Sequence, residues 1–94
     1  MSEVECPTAD EIEDAVRRRT KEREARAWMF EDYRRHRLGL RPKVHSMAVL
    51  KDFERKSAEA YLDGTMPWAL AERFRDEVAG WPAVLKRAER RMGR

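Results

Sequence analysis

The chain has 94 residues, 41% of them charged, and a formal net charge of +3. A chain of this length folds as one domain with a small core, and its composition, led by Ala, Arg, Glu and Leu, favours helices over strands or disorder. Cys6 is the one cysteine, which excludes an internal disulfide and a thiolate cluster for a metal. No apolar run approaches the roughly 20 residues that span a membrane.

Charge is distributed along the chain in blocks. Residues 1 to 16 carry six acids and no Lys or Arg, the opposite of a targeting segment, so we expect a cytoplasmic protein. The later blocks sum to +5 (17 to 37), +3 (38 to 56), −3 (57 to 80) and +4 (81 to 94). Because the basic charge is concentrated, it attracts an acidic partner more strongly than the net charge suggests.

The first predicted helix covers residues 9 to 37 and follows a flexible acidic tail at 1 to 8. Thr8 and Glu11 are typical of a capping box, and Gly39 is placed to end the helix. One stripe of the helix carries Ile12, Ala15, Val16, Phe30 and Tyr33, but arginines occupy its middle: Arg19, Arg23 and Arg26. Since that middle cannot be buried as an ordinary core, the first half of the helix either projects or breaks near Thr20.

Three shorter helices are predicted at residues 46 to 62, 66 to 79 and 82 to 92. Their apolar stripes are Met47, Leu50, Phe53, Ser57 and Tyr61; Pro67, Leu70, Ala71, Phe74 and Val78; and Trp81, Leu85, Ala88 and Met92. Thr65 is the expected cap of the third helix. The short connections favour antiparallel neighbours, so we predict one all-α domain over residues 1 to 94, a small three- to four-helix bundle with a long, charged N-terminal helix.

Catalytic and metal-binding patterns are absent from the sequence. The spacing of His36 and His45 does not suit two ligands of one metal, and we interpret Asp32 and His36, one helical turn apart, as an exposed ion pair. No Gly-rich loop would hold a phosphate. We therefore expect no enzyme, no metal and no cofactor.

Two tryptophans lie off the apolar stripes. Trp28 points about 160° away from Phe30 on a helical wheel, and Trp68 is displaced from the stripe of the third helix by about 100°. Exposed Trp and Arg are enriched at interface hot spots. The main hypothesis is a non-enzymatic binding protein (an accessory subunit, regulator or inhibitor) that docks on a larger protein with an acidic surface. Its predicted contact residues are Arg19, Arg23, Arg26, Trp28 and Trp68.

The alternative hypothesis is a protein that binds DNA or RNA. Its phosphate contacts would be Arg17, Arg18, Lys21, Lys86, Arg87, Arg90 and Arg91. Ala60, Gly64 and Leu70 match a loose helix-turn-helix template over residues 56 to 75, although the would-be recognition helix carries a net −1 charge. A homodimer is a further alternative, in which Ile12, Val16 and Phe30 pair with their own copies.

Overall fold

The computed structural model describes residues 8 to 93 and contains four helices. They are α1 (Ala9–Arg37), α2 (Met47–Asp63), α3 (Trp68–Glu77) and α4 (Trp81–Arg91). The second half of α1 packs on α2, α2 packs on α4, and α3 packs on α4. Since residues 8 to 93 form no strand, the predicted all-α bundle with a long first helix is confirmed. Apart from Thr8, the predicted acidic tail lies outside the described residues.

Local sequence signals account for both ends of α1. The Thr8 side chain accepts a hydrogen bond from the Glu11 backbone, and the Glu11 carboxylate accepts one from the Thr8 backbone, each at 3.3 Å. At the other end, Gly39 has a φ of 79°, and the N–H of Leu40 donates to the carbonyl of Arg35. This left-handed ending is the one expected from the glycine.

The helix does not break at Thr20. The Thr20 hydroxyl instead donates to the carbonyl of Val16 at 2.9 Å, one turn earlier in an uninterrupted helix. Every residue from 9 to 28 is exposed, so the first part of α1 leaves the bundle as a projecting arm, which we define as residues 9 to 28. Of the two alternatives left by the sequence, the structure shows projection.

The start of α3 differs from the prediction. The Thr65 hydroxyl donates to the carbonyl of Ala60, so Thr65 completes the end of α2 and does not cap α3. The helix begins only at Trp68, after an extended Pro67. Three side chains predicted to face the core are exposed because the bundle covers only one end of their stripes: Met47, Pro67 and Leu70.

Aromatic rings form the centre of the core. Phe74 of α3 lies 5.0 Å from Phe30 of α1 and 4.8 Å from Trp81 of α4, measured between ring centroids. Phe53 of α2 is 5.9 Å away and Tyr33 of α1 is 6.2 Å away. All four helices therefore meet at a single phenylalanine.

No helix within residues 8 to 93 is both long enough and apolar enough to cross a bilayer.

Asp32 is buried and closes the loop between α1 and α2. Its carboxylate accepts hydrogen bonds from the backbone N–H groups of Lys43, Val44 and His45, each at 2.9 Å, and it lies 2.8 Å from Nδ1 of His45. The predicted exposed pair of Asp32 with His36 is therefore wrong. Burial alone would raise the pKa of Asp32, but the hydrogen bonds from residues 43 to 45 outweigh it and hold the pKa well below its usual range.

The first prediction concerns this carboxylate. Asp32→Asn should lower the free energy of unfolding at pH 7 by about 2 to 3 kcal/mol, because a neutral amide cannot accept all the bonds and leaves buried N–H groups unsatisfied. Since the folded-state pKa is lowered, the contribution of Asp32 is complete above about pH 4 and is lost as the pH falls through the folded-state pKa. The free energy of unfolding, measured with urea, should therefore fall less between pH 7 and pH 3 in the variant than in the wild type. Asp76→Asn is the control: it removes a carboxylate from an exposed ion pair with Arg75 and should change the free energy of unfolding by less than about 1 kcal/mol.

The second prediction concerns the arm. Deletion of residues 1 to 24 should move the thermal midpoint by less than about 4 °C, the shift that roughly 1 kcal/mol produces in a small domain, because the deleted part of the arm buries nothing. Phe30→Ala, which removes a core ring, should cost about 3 to 5 kcal/mol in the same circular-dichroism melts. A large destabilisation by the deletion would show that the arm packs on the bundle in solution.

Candidate functional site

The predicted partner-binding residues lie in three places. Arg19, Arg23 and Arg26 share the side of α1 that buries Phe30 and Tyr33 farther along, because the spacing alternates between three and four residues. We call this side of the arm, with Ile12 and Val16, the arginine face. Its members are all exposed.

Trp28 lies on the other side of α1. Its side chain is 49% exposed, whereas that of Phe30 is 3% exposed, as the helical wheel predicts. Trp28 borders a depression of about 270 Å³ together with Glu24, Ala27 and Glu31. The Arg34 guanidinium donates two hydrogen bonds to Glu31 and lowers the pKa of that carboxyl. One flat partner surface therefore cannot contact both Trp28 and the arginine face.

Trp68 is the most exposed large apolar side chain of the described residues, at 77%. It stands at the first residue of α3, on the bundle and not on the arm. Trp81, by contrast, is buried in the core. The three tryptophans thus report on three separate environments.

The predicted phosphate contacts fall into two clusters. Arg17, Arg18 and Lys21 line a depression of about 280 Å³ on the arm together with Asp14. A second cluster surrounds a cleft of about 460 Å³ between the end of α1 and α4 and consists of Arg37, Ala83, Lys86, Arg87 and Arg90. We call it the basic cleft. Arg91, the remaining predicted contact, is exposed at the end of α4 and does not line it.

Glu54 of α2 lies beside two of the cations that line the basic cleft. The Tyr33 hydroxyl donates to its carboxylate at 2.7 Å, and burial together with this bond raises the pKa of Tyr33 above its usual value. The guanidinium of Arg37 lies 4.0 Å from the carboxylate and that of Arg87 lies 3.9 Å from it. Arg37 also donates through Nε to the carbonyl of Ala79 at 3.0 Å. These contacts hold Arg37 in place, whereas the side chain of Arg87 remains 58% exposed.

The sequence analysis missed Arg37 and Glu54. Both carried a signal, because each is a charged residue on an otherwise buried stripe: Arg37 follows Tyr33 by four residues, and Glu54 lies between Leu50 and Ala58. Opposite charges on the buried stripes of two helices indicate that the side chains meet.

The helix-turn-helix alternative receives little support from the fold. Gly64 does end α2 in the left-handed conformation, with a φ of 72°. Leu70, which the template needs as a core residue, is 36% exposed, and α3 packs on α4.

Phe30 is buried within its own chain, so it is not available to the homodimer predicted from Ile12, Val16 and Phe30.

Metal-ligating side chains are not clustered in the part of the chain that the structure describes. Residues 8 to 93 contain no group of three or more His, Cys, Asp or Glu side chains that could hold a metal. The one deeply buried carboxylate, Asp32, is saturated by hydrogen bonds from its own loop.

Comparison of the chain with protein-family models, curated proteins and solved structures finds no match. Function therefore has to be argued from the surfaces described above.

The third prediction uses the tryptophans. In a protein carrying Trp28→Phe and Trp68→Phe, Trp81 is the only tryptophan, and its emission, excited at wavelengths that tyrosine does not absorb, should be blue-shifted and weakly quenched by acrylamide because the residue is 1% exposed. The same variant unfolded in urea is the control and should be quenched strongly. Strong quenching of the folded variant would contradict the position of Trp81 at the centre of the core.

Proposed function

We propose that this chain is a non-enzymatic binding protein that docks on a larger protein with an acidic surface through the arginine face of its arm. The observation that supports the proposal is the exposure of every residue from 9 to 28 in a helix that continues unbroken from the core. A helix of about 20 residues that contacts nothing in its own chain gains little from folding locally. Contact with a partner would supply the missing burial.

The chemistry of the arginine face sets the partner's character. This face combines three guanidiniums with the apolar side chains of Ile12 and Val16. Arginine is enriched at protein interfaces because its planar guanidinium pairs with a carboxylate through two parallel hydrogen bonds. The partner we expect presents carboxylates beside small apolar patches. As an accessory subunit, regulator or inhibitor, the bundle would carry the arm without taking part in chemistry.

The arginine face lies on the same side of α1 as the buried Phe30, so this face continues along the helix up to the bundle. The stripe that carries Arg26 continues into Phe30, whose ring is covered by the guanidinium of Arg73 at 4.5 Å. A partner lying along the arginine face would therefore also approach α3 at Arg73. This second contact gives the docking a defined register along the arm.

The fourth prediction compares two triple variants with equal charge changes. Arg19→Glu, Arg23→Glu and Arg26→Glu together should abolish capture of the partner from a nuclease-treated extract, because they place like charges against its carboxylates. Arg17→Glu, Arg18→Glu and Lys21→Glu together change the charge by the same amount on another side of the arm. They should leave capture largely intact.

Quantitative mass spectrometry of the captured proteins would make this comparison, with helicity of both variants checked by circular dichroism. Equal loss in both variants would indicate nonspecific attraction by net charge. Failure to capture any partner whose binding depends on the arginine face would rule out the proposal. Trp28→Ala would show separately whether the opposite side of α1 contributes to partner binding.

Contact with DNA or RNA is the second candidate function. It is favoured by the grouping of six of its seven predicted contacts into the arm cluster and the basic cleft. Along α1 the two clusters are about 27 Å apart, at 1.5 Å per residue. A nucleic acid would have to span that distance to use both, whereas either cluster alone is small.

A further inference from the structure

The basic cleft carries more positive charge than its surroundings neutralise. Four of the five side chains that line it are cationic, and they come from two helices that are distant in sequence. The carboxylate of Glu54 faces two of them, Arg37 and Arg87, at 4.0 and 3.9 Å. One negative charge shared between two guanidiniums leaves Lys86 and Arg90 without compensation from Glu54. Converging cations of this kind attract an anion.

The cleft is also preformed. The side chain of Arg37 is only 23% exposed and is held by its bond to the carbonyl of Ala79, against Gly80, which leaves room for the guanidinium. Lys86, Arg87 and Arg90 lie on one side of α4, with the small Ala83 one turn before them. Because Arg37 is already ordered, an anion bound here would lose less affinity to side-chain entropy than one bound by free surface arginines.

We infer that the basic cleft is a binding site for clustered phosphate groups, and that it works independently of the arm. Its volume of about 460 Å³ falls in the range of small-ligand sites, roughly 300 to 1,000 Å³, yet its lining is cationic instead of apolar. Guanidiniums pair with phosphate oxygens through two parallel hydrogen bonds, and a lysine adds a point charge. An anion that presents several oxygens and more than one charge matches four cations better than a single carboxylate does.

The phosphate groups can come from a free polyphosphate or from the backbone of a nucleic acid, and two probes distinguish these sources. Inorganic tripolyphosphate is titrated by calorimetry, and a labelled single-stranded oligonucleotide of mixed sequence is titrated by fluorescence anisotropy, both at about 50 mM salt. Affinity for the cleft should fall as salt is raised. If only the binding of tripolyphosphate depends on the cleft, the ligand is a free polyphosphate. If the binding of the oligonucleotide depends on it, the ligand is the backbone of a nucleic acid.

The decisive comparison again matches charge. Lys86→Ala with Arg90→Ala removes two exposed cations from the cleft, and Arg55→Ala with Lys56→Ala removes two exposed cations of α2 that pair with Asp52 elsewhere. We expect the cleft pair to weaken binding of at least one probe by a factor of about ten or more, and the α2 pair by less than about twofold. The variants of the arginine face should leave tripolyphosphate binding unchanged, which separates this site from the docking surface of the arm.

Two results would overturn the inference. Equal weakening by the cleft pair and the α2 pair would show that the probes respond to net charge and not to the cleft. Absence of binding of both probes to the wild-type protein at low salt would show that the cleft does not hold clustered phosphate groups. Ala83→Leu, which fills the cleft without changing its charge, provides an independent check and should also weaken binding.

Discussion

Phe74 is the contact on which the rest of the structure depends. Its ring meets Phe30 and Tyr33 of α1, Phe53 of α2 and Trp81 of α4, so it joins each of the other helices to α3. A domain of this size buries few side chains, and aromatic rings bury the most area per residue. The position of this cluster also decides where the core ends along α1. Phe30 is the first deeply buried residue of that helix, and residues 8 to 28 are all exposed.

The arm follows from that limit. The same stripe of α1 that carries Phe30 and Tyr33 in the core carries Arg19, Arg23 and Arg26 outside it, so the helix changes from packing element to solvent-exposed element without changing its phase. Nothing in the helix itself marks the transition, since the backbone continues unbroken. The change is entirely in the side chains, and it gives the protein a basic surface that extends well beyond the bundle.

Glu54 connects the core to the basic cleft. Its carboxylate accepts from the hydroxyl of Tyr33, whose ring belongs to the aromatic cluster, and it faces the guanidiniums of Arg37 and Arg87 at the cleft. The side chain of Glu54 is only 19% exposed and lies among these three neighbours. The same carboxylate places Arg37 and Arg87 at the cleft, so the packing of α1 on α2 and the position of these two cations depend on one another.

The sequence by itself determined the four helices, the caps at Thr8 and Gly39, and the interruption of the α1 stripe by arginines, because these depend on residues within one or two turns of each other. It also predicted that Trp28 and Phe30 lie on opposite sides of α1. The tertiary structure alone decided that Asp32 binds the backbone 11 to 13 residues later, that Tyr33 meets Glu54 21 residues away, and that Arg37 reaches Ala79 42 residues away. No periodicity encodes such distances, since they depend on how the packed helices cross, and the aromatic core sets that crossing.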